Sequence, residues 1–179
     1  MSKTQIPTNG IADDAVTSAK ATGRGITLAD QWRINANISL SADTSKLIDS
    51  DWEQVDTDGF SNLGSSMSQS SGIWTFPSTG IYQIAWVTQI KSPSQGATYA
   101  GGGIYTTTDN SSYDIASDNY NSIYHVNGKA SITTSFIFDV TNTTTHKVKL
   151  YALCEFASTL HGASTLNRTF VTFMKLGDT

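Results

Sequence analysis

The side chains with which this chain could do chemistry are three histidines (His125, His146, His161), one cysteine (Cys154) and the aspartates of stretch 109–119. A serine hydrolase needs a hydroxyl activated by a histidine that an acid orients, and no Gly-x-Ser-x-Gly elbow presents such a serine. A zinc site needs His or Cys ligands at short spacing, whereas the three histidines lie 15 or more residues apart and sit in loops or at strand edges. Cys154 belongs to the alternating run Val148, Leu150, Ala152, Cys154, Phe156, which turns it inward as a small hydrophobe. Carboxylate pairs of glycosidase type arise by chance in any Asp-rich β protein. The run Gly101-Gly102-Gly103 lacks the spacing and the following helix of a phosphate-binding loop. It reads instead as a bend, or as a close approach of backbones near a symmetry axis. No catalytic residue and no cofactor is expected.

Stretch 109–119 retains one metal reading. Asp109, Asp114 and Asp118, with Asn110, supply the hard oxygen donors that calcium prefers. Their spacing is not that of an EF-hand, and a solvated polar loop accounts for the same residues. The longer loop 109–129 also carries Tyr113, Tyr120 and Tyr124 among Asn and Ser, the mixture that binding loops use for adaptable contacts. Either these tyrosines meet a ligand or they close over one end of the fold.

The elements that must position these groups are strands. With 179 residues the chain is one domain with a short appendage. From Gly25 onward it alternates with period two and shows no helical period, with strands expected near 26–40, 52–55, 81–90, 98–107, 130–140, 146–156 and 168–176. That spacing predicts an all-β sandwich or barrel. A net charge of −4 and scattered basic residues exclude a phosphate-neutralising stripe, so no nucleic acid is expected as a partner. No apolar run approaches the ~18 residues of a membrane helix, and no signal peptide precedes the domain, so synthesis in a cytoplasm without membrane insertion is expected.

Two strands are apolar on both faces. Strand 81–90 offers Tyr82, Ile84, Trp86 and Ile90 to a core, yet its other face carries Ile81, Ala85 and Val87. Strand 146–156 likewise adds Tyr151 and Leu153 on the face opposite its core residues. Strands buried on both faces need a second covering layer, and a sandwich without helices finds one in another subunit. Ile81, Ala85, Val87, Tyr151 and Leu153 are therefore the expected oligomer interface.

Gly72-Ile-Trp-Thr-Phe-Pro-Ser-Thr-Gly-Ile-Tyr82 places a strand, a turn and a second strand in one short hairpin, with Pro77 ending the first arm. This segment resembles the central GxFxxPxxGxYxF signature of C1q/TNF-like jelly-roll domains, with Trp74 where Phe is common. Phe170-Val-Thr-Phe-Met-Lys-Leu-Gly-Asp178 is similar to the closing strand of the same family. The resemblance implies a jelly-roll β-sandwich over residues 29–179 that assembles as a homotrimer about a three-fold axis.

Residues 1–28 differ in lacking aromatics, with Ile6, Ile11 and Val16 spaced five apart and acidic Asp13-Asp14 ahead of Lys20, as in a two-turn helix. They form either a disordered tail or a segment ordered by a partner. Residues Ile6–Lys20 are similar to segments preceding C-terminal heads in fibre proteins of tailed bacteriophages, where they lie in or beside a trimeric shaft. That resemblance implies a virion surface protein: a short head fibre, a capsid decoration or a fibre tip. Ile6, Ile11 and Val16 would anchor to another virion protein, and the head would adsorb to a host surface glycan or protein, or stabilise the shell. The other class of reading is a carbohydrate-binding module or a fragment of a polysaccharide depolymerase.

Overall fold

The structure is a computed structural model that describes residues 25–92 and 94–179. Ile6, Ile11, Val16 and the candidate helix at 13–20 lie outside the described residues. Thirteen strands and no helix occur among the described residues: β1 Leu28–Ile34, β2 Ile38–Leu40, β3 Lys46–Leu47, β4 Trp52–Gln54, β5 Ser68–Ser70, β6 Ile73–Thr75, β7 Gly80–Lys91, β8 Ala97–Thr107, β9 Asp114–Ile123, β10 Lys129–Val140, β11 Lys147–Cys154, β12 Ser158–Leu160 and β13 Phe170–Gly177. All pairs are antiparallel. The first sheet runs β4–β1–β13–β7–β10, with β12 and β2 continuing past the end of β13 along the last residues of β7. The second runs β5–β6–β11–β8–β9, with β3 also on β11.

The two inner faces meet in one core. Tyr82, Ile84, Trp86 and Ile90 of β7 are fully buried, as are Val148, Leu150, Ala152 and Cys154 of β11. All four tryptophans gather there. Trp74 is edge-on to Trp32 (5.4 Å) and to Trp52 (4.9 Å), and Trp52 leans on Trp86 at 5.6 Å. Edge-on contacts suit the ring quadrupoles, and each adds roughly 0.5–1.5 kcal/mol beyond the area buried. Trp86 Nε1 donates to the Tyr151 carbonyl at 3.0 Å, which ties the first sheet to the second.

The segment 72–82 is not a hairpin. β6 pairs with β5 and β11 in the second sheet, while β7 pairs with β10, β12 and β13 in the first. Phe76-Pro77-Ser78-Thr79 thus crosses between sheets. A turn after a terminated strand serves either purpose, so the local sequence does not distinguish them. What holds the crossing is packing: Phe76 and Tyr82 both point inward with rings 4.7 Å apart, and Tyr82 Oη donates to the Ser78 carbonyl. Gly80 is required because φ is +147° and a Cβ would lie 2.7 Å from the Gly177 carbonyl oxygen.

A second correction concerns 109–129, read from sequence as a loop. Residues Asp114–Ile123 form β9, the edge strand beside β8. Most of its side chains are exposed, so it lacks the apolar alternation by which a strand is read. Its polar, bulged character is that of a guarded edge.

Candidate functional site

The outward face of the first sheet follows from register. Reading across β1, β13, β7 and β10, one row is Arg33, Phe170, Val87 and Thr133. The next is Gln31, Thr172, Ala85 and Ser135, followed by Ala29, Met174, Gln83 and Ile137. Ile81 faces Asp139 at the end. Ile81, Ala85 and Val87 therefore share one face, as expected from the sequence, and Phe170, Met174 and Ile137 join them. Ile137 is 60% exposed, a large aliphatic side chain on a strand whose other outward residues are Lys129, Ser131, Thr133, Ser135 and Asp139. Arg33 is the one charge within the rows, and it is covered at the margin of the face. Its guanidinium reaches Glu53 Oε1 (3.0 Å) and Asp56 Oδ1 (2.6 Å), so it presents no free charge to the surface. The face spans roughly 14 Å across four strands and 20 Å along them. Within it Ile81, Ala85, Val87, Phe170, Met174 and Ile137 are the apolar positions, interspersed with Gln, Ser and Thr.

Tyr151 and Leu153 are on the other sheet, pointing away from this face. They do not join Ile81, Ala85 and Val87 in one surface. Tyr151 is covered within the chain instead. Its ring lies over Gly103, where a Cβ would come within 2.5 Å of Tyr151 Cε1. Tyr105 packs against it at 5.0 Å, and its hydroxyl meets that of Tyr120 at 3.0 Å. The glycine run thus clears space for a tyrosine laid flat on the sheet. Gly103→Ala is expected to displace that ring and to cost about 1–3 kcal/mol, as overpacking does; a chemical-denaturation curve measures it.

The three tyrosines proposed as a binding loop do not form one cluster. Tyr120 lies mid-strand in the layer just described. Tyr113 precedes β9, with Lys149 Nζ 3.6 Å from its ring centroid. Tyr124 follows β9 and is 83% exposed. Hydrogen bonding to Asp43 raises Tyr99 to about 12, and burial pushes Tyr151, Tyr120 and Tyr113 upward too. A raised folded value means stability that is full below the unfolded value near 10 and is lost as pH rises through the folded one. Ultraviolet titration of phenolate absorbance is expected to show Tyr99 ionising near 12 in wild type and earlier in Asp43→Asn.

Asp109, Asp114 and Asp118 are not brought together, and no three His, Cys, Asp or Glu side chains gather among the described residues. Asp109 caps its own turn, accepting from Thr107 Oγ1 (2.7 Å) and from the Ser111 and Ser112 amides. The Thr107 bond first, then those amides, lower its pKa to about 2. Asp118 takes a long hydrogen bond from Tyr151 instead. The turn's order is expected to be complete above the usual carboxylate value and to fail as pH falls through about 2. Carboxyl NMR titration checks it, and Thr107→Val should raise the midpoint. Two histidines are more buried than their loop positions suggest: His146 stacks on Phe138 at 5.6 Å, and His161 meets Gln89 Oε1 at 3.2 Å.

Among solved structures, Eiger TNF from S. frugiperda aligns with TM-score 0.63 at 13% identity, over 87% of this chain and 96% of that one. The fold is a C1q/TNF-like jelly roll. Murine APRIL aligns with this jelly roll at TM-score 0.58 and 12% identity, over 83% of this chain and 98% of its own. The PRD1 vertex protein P5 aligns at TM-score 0.49 and 14% identity, too loosely to bear on function. No family model and no curated protein sequence matches the chain. No helix among the described residues of the jelly roll is long and apolar enough to cross a membrane.

Proposed function

We propose that this chain is a non-enzymatic virion surface protein whose jelly-roll head assembles as a homotrimer through the outward face of the β4–β1–β13–β7–β10 sheet. Residues 1–28 would attach it to another virion protein. The head would adsorb to a bacterial surface or stabilise the shell. The observation that carries the assembly is the uncharged face built by Ile81, Ala85, Val87, Phe170, Met174 and Ile137. A sheet face left open to water is normally polar, and this one offers aliphatic, aromatic and small hydroxyl side chains in the mixture that packs against a copy of itself. The virion setting is supported by the phage-fibre resemblance of Ile6–Lys20. Three weak contacts presented on one trimer gain avidity without any single strong site.

Electron microscopy of intact particles labelled with antibody to the head tests the location. Label in threefold clusters on the virion surface is expected, and unlabelled particles contradict the reading. Cleavage of host polysaccharide by the purified protein would favour the depolymerase class instead.

A further inference from the structure

Lys91 and Lys129 stand directly opposite each other across the β7–β10 ladder, on the same outward face as Ile81, Ala85 and Val87. Like charges so placed repel. Arg168, two residues ahead of Phe170, brings a third cation to this end of the face. The ion pairs among the described residues are Arg33 with Glu53 and Asp56, and Lys175 with Asp178, so none of these three cations has an acidic partner. Beside them neutral polar groups are linked: Gln89 Nε2 donates to Ser131 Oγ at 3.3 Å, and Gln89 Oε1 meets His161 Nδ1 at 3.2 Å. His161 senses the crowding, since burial and then Lys129, Arg168 and Lys91 lower its pKa. The far end of the face carries Asp139, so the face is polarised along the strands. On a chain of net charge −4, three cations without an acidic partner among the described residues, at one end of a face whose other charges are the paired Arg33 and the distant Asp139, call for a counter-charge.

We infer that the Lys91–Lys129–Arg168 end of this face is an oxyanion site, completed by the three copies of the trimer and filled by a phosphate or sulfate group. The inference rests on the trimer reading. A three-fold arrangement with this end of the face beside the axis brings three sets of these cations together, where unneutralised they oppose association. A multiply charged oxyanion between them converts that repulsion into charge-assisted hydrogen bonds, with guanidinium and ammonium donors suited to such oxygens.

The test is trimer dissociation of the full chain by analytical ultracentrifugation at constant ionic strength, in chloride, in sodium phosphate and in dextran sulfate. Constant ionic strength separates binding from screening. Phosphate at about a hundredfold over its dissociation constant is expected to lower the trimer dissociation constant by roughly a hundredfold, which shifts the midpoint to lower protein concentration by roughly tenfold, its square root. A response to phosphate identifies a free ion as sufficient. A response to dextran sulfate alone identifies a group carried on a polymer. The double variant Lys91→Gln, Lys129→Gln is expected to form a tighter trimer than wild type in chloride and to ignore both anions. A trimer indifferent to phosphate and dextran sulfate overturns the site alone. A chain monomeric in every buffer overturns the trimer reading as well.

Discussion

Val87→Arg is expected to convert the protein from trimer to folded monomer. Val87 is half-buried on the outward face, between Phe170 and Thr133, so its side chain contributes nothing to the inner core. An arginine there can extend into solvent in a lone protomer, and the fold is retained. In the trimer the same guanidinium is buried three times without a partner. At roughly 2 kcal/mol per copy after relaxation, the loss of about 6 kcal/mol per trimer raises the dissociation constant by about 10⁴. Light scattering reads the change in mass, and circular dichroism checks that the sandwich persists. Ile115→Arg is the control, because Ile115 is exposed on β9 in the other sheet, and it should leave the trimer intact. Equal loss of the trimer in both variants would remove the assignment of the interface to the first sheet.

The second large effect belongs to Asp30. Its carboxylate is 1% exposed and accepts four hydrogen bonds. Oδ1 takes the Gln31 amide and Gln54 Nε2, both at 2.9 Å, and Oδ2 takes Trp32 Nε1 at 2.9 Å and the Met67 amide at 2.8 Å. One residue thereby fixes β1 to β4 and to the segment leading into β5, and sets the angle of Trp32 against Trp74. Removing a buried acceptor costs more than the bonds it made, because its donors are left without water. Asp30→Ala is expected to destabilise by about 3–5 kcal/mol, a large share of the 5–15 kcal/mol typical of a domain. Asp30→Asn keeps one oxygen but turns an NH₂ toward two donors, and should lose about half as much. Urea unfolding in the Val87→Arg background keeps dissociation out of the measurement.

These two residues also mark what the sequence disclosed and what it withheld. Val87 was legible, because period-two alternation in 81–90 assigns each side chain a face and an apolar second face stands out. The inner residues of β7, β10 and β11 were legible for the same reason. Asp30 was not. In Leu28-Ala-Asp-Gln-Trp-Arg-Ile34 it is one polar residue among several, and two of its four donors come from Gln54 and Met67, distant in sequence. The crossing at 76–79 was misread as a hairpin because partner strands, not the turn, decide which sheet each arm enters. β9 was missed because an exposed edge strand has no apolar face to betray it. Alternation reports that the face carrying Tyr151 is apolar, not what covers it. For Tyr151 the cover is the chain's own Tyr105 and Tyr120, admitted by Gly103. Lys91 and Lys129 are ordinary lysines in sequence, and only the ladder register sets them opposite each other.

The central claim is that the outward face of the first sheet closes against two further copies of the chain. Sedimentation equilibrium of the unmodified protein at micromolar concentration tests it most directly. The account predicts a mass about three times that of the 19.2 kDa chain. A single species at the mass of one chain would contradict it.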